Sequence, residues 1–447
     1  MKKRIIGLVM LGAIVLGLGG CASQGSETAE TKSEPVKQEV EIAKEAVEIE
    51  FWHAMGGSKG EALKKLTDDF NTKNEDITVT LVNQGGYRDL FSKLMASAKA
   101  NTLPTMTQIY CNRLSWYIDK GLVVDLKPYM TNKEYGLTTE DLKDIPSLFL
   151  DDGIWGENQY AFPFNKSQMV LYYNEDMLKS KNIAVPTNWE EWKIANEALT
   201  IDENKDGEPE IYGTVFANNI STDIAPWVKQ SGGVIIDEST DQLNFDTLET
   251  KEAVEFLSGM IKDKIARTAG EDKHSNVPFV QGRAAMCVAS TSAIPYIEKD
   301  ISPDMNWFAA PLPAHKTNDQ LYYGTNVATF TTASEEQRIA SWKYMKYLTE
   351  AENTAFFAME TGYLPVRRSA REIPIYQKYI QEHPIKGVGL KSFDNGFQGT
   401  RIIGQINALD ILGEELNEVF FNNKSVDEAL KNAQTRGEKA LKEVRNN

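Results

Sequence analysis

The sequence predicts an α/β protein, a parallel sheet flanked by helices, and three observations carry that prediction. Strand-like and helix-like stretches alternate from Val47 onward, the residues Val47 to Trp52 alternate in polarity with period two, and the helix-like stretches space their apolar residues three and four apart. In this architecture ligands bind beyond the carboxyl ends of the strands, so the turns that follow the strands are where a site is sought. The length of 447 residues corresponds to two or three domains of about 150 residues each, and the composition, 41% hydrophobic and 25% charged, is that of an ordinary globular protein.

Taken in order, Val47-Glu48-Ile49-Glu50-Phe51-Trp52 is the first strand. Ser58 to Asn74 carries Ala62, Leu63, Leu66 and Phe70 at helical spacing, with Ser58 expected as the cap. Ile77 to Val82 is a second strand, Tyr87 to Ala100 a second helix, and Thr107 to Tyr110 continue the alternation. Ala161 to Asn174 is extended but broken by Pro163, and a helix follows from about Glu175. A second α/β run covers Gly213 to Ala289. Leu321 to Phe330 is a strand, Glu335 to Leu348 a helix, and Ser425 to Arg445 a charged amphipathic helix. The sequence shows no internal repeat and no heptad register.

The amino terminus is a leader rather than part of the fold. Lys2, Lys3 and Arg4 precede the apolar run Ile5 to Leu18, too short for a normally flanked membrane span. Leu18-Gly19-Gly20-Cys21 resembles the bacterial lipobox, which implies removal of residues 1–20 and acylation of Cys21, several chains together anchoring the protein at a membrane. Residues 21–46 read as a flexible tether. Without the three leader cations, 45 basic side chains face 64 acidic ones, a balance of −19 that opposes nucleic acid and anionic membrane surfaces as partners. Cys111 and Cys287, the remaining cysteines, make neither a disulfide framework nor a metal motif.

Most motifs of chemistry fail. Phe51 to Gly60, FWHAMGGSKG, lacks the spacing and the Lys-Ser or Lys-Thr ending of a phosphate loop, and no GxGxxG follows the first strand. His53, His274, His315 and His383 are dispersed, and no GxSxG elbow occurs. Two of the acids meeting in space would leave a surface glycoside hydrolase as the enzyme alternative. Asp202, Asn204 and Asp206, with Gly207, match the opening of a calcium loop, but Gly213 stands where a closing Glu belongs; a solvated acidic turn is the other reading.

Several stretches in colinear order, from about Val47 to Arg445, resemble the family 1 extracellular solute-binding proteins of ABC importers. They are FWHAMGG, the helix ending in Asp68-Asp69-Phe70-Asn71, FPFNKSQMVLYYNEDML, Pro186-Thr187-Asn188-Trp189-Glu190-Glu191 and TGYLP at Thr361 to Pro365. The nearest branch binds sn-glycerol 3-phosphate and related compounds. The resemblance implies a two-lobed periplasmic-binding-protein-like (type II) fold with a hinge and an interlobe ligand cleft, lobe 1 being 47–165 plus 324–361 and lobe 2 being 166–323 plus 362–447. It implies a membrane-anchored monomer, with no required cofactor, that delivers a sugar or oligosaccharide to permease subunits. Glycerol 3-phosphate or a glycerophosphodiester is the alternative ligand.

The same resemblance places ligand contacts at Tyr87, Ser167, Ser290, Gly324, Tyr363 and Arg401, with Trp52 and His53 as cleft wall. Polyols need hydroxyl partners and aromatic faces, which these residue types supply. For Trp52 a core role, and for Arg401 a structural ion pair, remain open alternatives. Cys111 stands where the branch has a hydroxyl-gripping acid, Asn218 and Ser221 stand near its second-lobe tryptophans, and Trp227 is a partial replacement.

Overall fold

The computed structural model describes residues 46–221 and 223–445. The leader 1–20, Cys21 and the tether as far as Glu45 lie outside the described residues, as does Thr222.

The elements appear where polarity and spacing put them. Strand β1 (Val47–His53) leads into helix α1 (Gly57–Lys73), β2 (Ile77–Asn83) into α2 (Tyr87–Ala100), and β3 (Met106–Ile109) into α3 (Cys111–Asp119). Gly56, not Ser58, occupies the cap of α1, without a side-chain hydrogen bond; Ser58 lies inside the first turn because the paired glycines already turn the chain.

The sheet is mixed rather than parallel. Among the described residues ten strands join in one sheet, and β1 pairs in parallel with both β2 and β3. At the centre, a long strand, Phe162–Asn174, lies antiparallel to a return strand, Gln320–Thr329, with Ser167 opposite Tyr323. The return strand is antiparallel to β3 on its other side, and the long strand is antiparallel to Ala284–Ser290. Helical crossovers build the parallel pairs within each half of the sheet, whereas these two central strands run across from one half to the other.

The long strand is not broken at Pro163. The ladder slips between Thr325 and Asn326, so that Pro163 faces Asn326 at a bulge, where a residue without an N–H costs no ladder bond. Its thirteen residues, all but Met169 buried, reach roughly 43 Å at the usual rise per residue. That length lets one strand serve two cores. Phe162 and Phe164 pack with Phe51, Leu63, Trp342 and Phe357, while Leu171 and Tyr173 pack with Trp192, Phe216, Val254 and Leu416. A layer of Leu90, Leu94, Leu114 and Tyr117, from α2 and α3, covers the other face of the first half. After Thr361, Leu364 and Val366 still pack on the first core, and Val388 reaches the second half.

Gly324 is fixed by geometry at the middle of this pairing. Its φ is +110°, and a Cβ there would lie 1.7 Å from the Asn165 carbonyl oxygen. Gly324→Ala is expected to lower stability by at least about 3 kcal/mol, combining left-handed strain with displaced backbone, as read by urea unfolding. A loss below about 1 kcal/mol would contradict this packing.

Candidate functional site

Beside Leu321 to Gly324 on the return strand, a pocket of about 170 Å³ opens, lined by Tyr110, Cys111 and Asn112, by Asp152 and Asp223, and by Tyr323, Gly324 and Thr400. A smaller pocket shares Asp223 and Tyr323 and is walled by Phe216 and Trp227. Tyr110 follows β3 directly, so this site obeys the rule that ligands sit beyond strand carboxyl ends.

Its floor is a buried polar cluster. Lys166 donates to Asp152 at 2.6 Å, and the Asn326 amide donates to the same carboxylate oxygen at 2.7 Å and to the Cys111 sulfur. Burial pushes the Cys111 thiol well above its ordinary range, so it remains a neutral thiol. Asp152 thus brings a carboxylate to the place where Cys111 alone looked like a lost acceptor.

Asp223 is the second carboxylate. The Tyr323 hydroxyl donates to it at 2.7 Å, yet burial pushes its pKa up to about 6. Aromatic rings continue the wall: Tyr110 lies 5.0 Å from Tyr87, whose hydroxyl accepts from Asn165 at 3.3 Å. Tyr363 stacks on Phe357 and carries the Lys59 ammonium 5.1 Å from its ring centre. Burial lowers the Lys59 pKa to about 8. On the other side Trp227 stacks on Trp192, 5.5 Å apart at 23°.

Of the residues expected from sequence, the structure brings Cys111 and Gly324 to the larger pocket and Trp227 to the smaller, with Tyr87 next to Tyr110 and Tyr363 next to Tyr87. The rest fall elsewhere. Trp52 packs beside Tyr87 and Phe91 and donates to Glu50, a core role. His53 points to the opposite face, as the next residue of a strand must. There its Nδ1 accepts from the Met55 N–H, burial lowers its pKa to about 4, and it lines a groove between α1 and β2. Asn218 exchanges two hydrogen bonds with Gly270. Ser290 caps the turn that follows it through Ser292, and Ser167 is buried in the long strand and lines neither pocket. Arg401 donates to the carbonyls of Asp151 and Ile154 and pairs with Glu238, which is the structural role.

In the candidate calcium loop, Asp202 accepts from Gly207 N–H, Asn204 from Asp206 N–H, and Asp206 from Glu208 N–H. The loop's acids thus hold its own turn. Among the described residues no group of three or more His, Cys, Asp and Glu is arranged around a common metal position.

Sequence reasoning missed Asp152, Asp223 and Tyr110. Tyr110 was legible as the residue after β3, but nothing local singled out two acids among 64. Asp223 also makes a stability prediction. A carboxyl whose folded pKa is raised binds protons more readily when folded, so stability falls as pH rises from about 4 to about 6. Asp223→Asn removes that penalty. Its melting temperature is expected to exceed the parent's by about 2 °C or more at pH 7.5 and to match it at pH 4. Equal melting temperatures at pH 7.5 would contradict the burial of this charge.

Comparison with known proteins places this architecture. The sn-glycerol-3-phosphate-binding periplasmic protein UgpB of Salmonella typhimurium is 25% identical over 412 residues, covering 88% of this chain and 92% of that one. Among solved structures, UgpB from Mycobacterium tuberculosis in complex with glycerophosphocholine superposes with a TM-score of 0.78 at 22% identity, covering 89% of this chain and 99% of that one. The ABC substrate-binding protein of Listeria monocytogenes in complex with cycloalternan gives 0.77 at 18% identity, with the same coverage. The shared fold is the two-lobed one of such binding proteins. Residues 65–384 match the bacterial extracellular solute-binding protein family, and the chain belongs to it.

Proposed function

We propose that the protein captures a carbohydrate-type solute, a sugar or oligosaccharide, and passes it unaltered to the transmembrane subunits of an ABC permease. The observation that carries this reading is the pocket at the middle of the sheet, where carboxylate and amide acceptors stand among tyrosine rings. Such a surface matches the alternating hydroxyls and C–H faces of a saccharide. Binding would select the closed arrangement of two hinged lobes, 47–165 with 324–361 and 166–323 with 362–447, by its greater affinity for it. Relatives named for sn-glycerol 3-phosphate and a fold relative holding glycerophosphocholine support the second reading, a glycerol-phosphate ligand in the same role.

The working protein is a monomer held at the outer face of the membrane by acyl chains on Cys21. No helix of the described residues is long and apolar enough to cross a membrane. Calcium at Asp202, Asn204 and Asp206 is a further proposal, supported by the loop spacing alone; a calcium titration followed by melting temperature tests it. The protein performs no turnover.

Titration calorimetry with maltotriose, cycloalternan, sn-glycerol 3-phosphate and glycerophosphocholine is expected to give saturable heat with at least one compound, and small-angle scattering to show compaction with the same one. Silence across the panel, or cleavage of a labelled glycan, would overturn the capture reading. Cys21→Ser is expected to move the protein from the membrane fraction to the soluble fraction of cells; retention in the membrane would sink the anchor.

A further inference from the structure

Between Phe393 and Ile402 the chain passes from one hydrophobic core to the other. Phe393 packs in the first core with Phe149 and Tyr322, and Ile402 in the second with Trp192 and Leu412. None of the residues between them is fully buried. The crossing is pinned at its start, where Gly396 and Phe397 pair with Gln320 and Leu321 and a Cβ on Gly396 would lie 1.8 Å from the Tyr322 ring. Its far end is held to the second half, because Gln405 donates to the Thr400 carbonyl at 2.6 Å and accepts from the Ile402 N–H at 3.0 Å. The middle has slack: a Cβ on Gly399 would meet nothing within 4 Å. Gln398, Gly399 and Thr400 line the larger pocket together with Asn112 and Asp152 of the first half.

Arg401 ties this middle to the first half. On one side its guanidinium stands 3.4 Å from Glu238, which lies between Ile236 and Leu243 of the second core. On the other it donates to the carbonyls of Asp151 and Ile154, the latter at 3.3 Å, and lies 5.7 Å from the centre of the Trp155 ring. Gln398 adds a longer bond, 3.4 Å to the Leu148 carbonyl. These partners all belong to residues 148–155, the stretch that brings Asp152 to the pocket wall. We propose that Gln398 to Thr400 form a strap across the pocket and that Arg401 is the bolt that fastens it to the first half. A guanidinium suits the task, because its planar fork donates in several fixed directions at once, to carbonyls and to a carboxylate, which a compact ammonium does not. The bolt is also releasable: the side chains of Arg401 and Glu238 are 22% and 37% exposed, so water can replace their contacts without disturbing either core. Once released, the strap follows the second half through Gln405 and the pocket opens to solvent on that side. Fastened, it slows both entry and exit of a solute.

This inference rests on the capture reading for the solute and on the contacts of Arg401 for the strap, and the two are measured separately. The strap is read in the mature chain, made soluble by Cys21→Ser, with spin labels on Gly399→Cys and on Lys143→Cys, an exposed position of the first half. Cys111 and Cys287 are buried and stay unlabelled. Double electron–electron resonance on this parent is expected to give one dominant distance. Adding Arg401→Gln should raise the ratio of a longer distance to the short one about ten- to a hundredfold, the range of lost hydrogen bonds to a charged group. Glu238→Gln, which leaves the carbonyl contacts, should raise it about three- to tenfold, and Arg401→Lys should fall between the parent and Arg401→Gln. Each variant is checked for parental circular dichroism. Stopped-flow mixing then uses whichever of maltotriose, cycloalternan, sn-glycerol 3-phosphate and glycerophosphocholine gives calorimetric heat, and Arg401→Gln should speed both association and dissociation about threefold or more. Parental distances in both Arg401→Gln and Glu238→Gln would overturn the strap. Faster dissociation with parental association and parental distances would make Arg401 a direct solute contact and overturn it as well. If no compound binds, capture fails, and the distances alone decide whether Arg401 fastens the strap.

Discussion

The antiparallel pairing of the long strand with the return strand is the constraint on which the rest of the molecule depends. It carries the chain between two hydrophobic cores, and its own interior must therefore be dry. The price of that dryness is a buried ammonium: Lys166 is 1% exposed and is tolerable only because Asp152 meets it at 2.6 Å and Asn326 completes the carboxylate's shell. Taking one partner from such a pair costs about 3–5 kcal/mol, because the other charge stays buried alone. The same pairing demands a residue without a side chain at Gly324, where the two backbones press together. Floor, strand register and cavity are thus one arrangement, and Cys111 belongs to it as a packed thiol.

On that rigid floor the walls are less settled energetically. Burial pushes the Asp223 pKa up to about 6, and Asn112 keeps a buried oxygen with no donor among the described residues. Both features lower the stability of the folded chain, the first through a charge held out of water and the second through an unmatched acceptor. The nearby tyrosines behave differently. Tyr87 is held by Asn165 and packs with Tyr110, and Tyr323 is held by Asp223, so these rings are oriented by protein contacts.

The family resemblance and the physical reading met unevenly. Gly324, which the resemblance named, lines the pocket at a point where the backbone leaves no room for a side chain. The side chains of Arg401, Ser290 and Asn218 instead meet Glu238 and carbonyls, Ser292, and Gly270. A side chain's partner depends on its neighbours in space, which differ among chains that share a fold at 18–25% identity. Trp52 and His53 show the reverse case. Their opposite facing was readable from the period of the strand, since adjacent residues cannot line one wall.

By itself the sequence determined the local elements: the alternation of strands and helices, the leader pattern and the turn after Phe51. These follow from chain geometry over a few residues. Tertiary structure alone decided that the central strands run antiparallel, that Pro163 sits harmlessly at a bulge, and that Asp223 meets Tyr323 across 100 residues of chain. Such contacts are set by how whole layers pack and by which charges burial forces into pairs, and neither is written in local spacing.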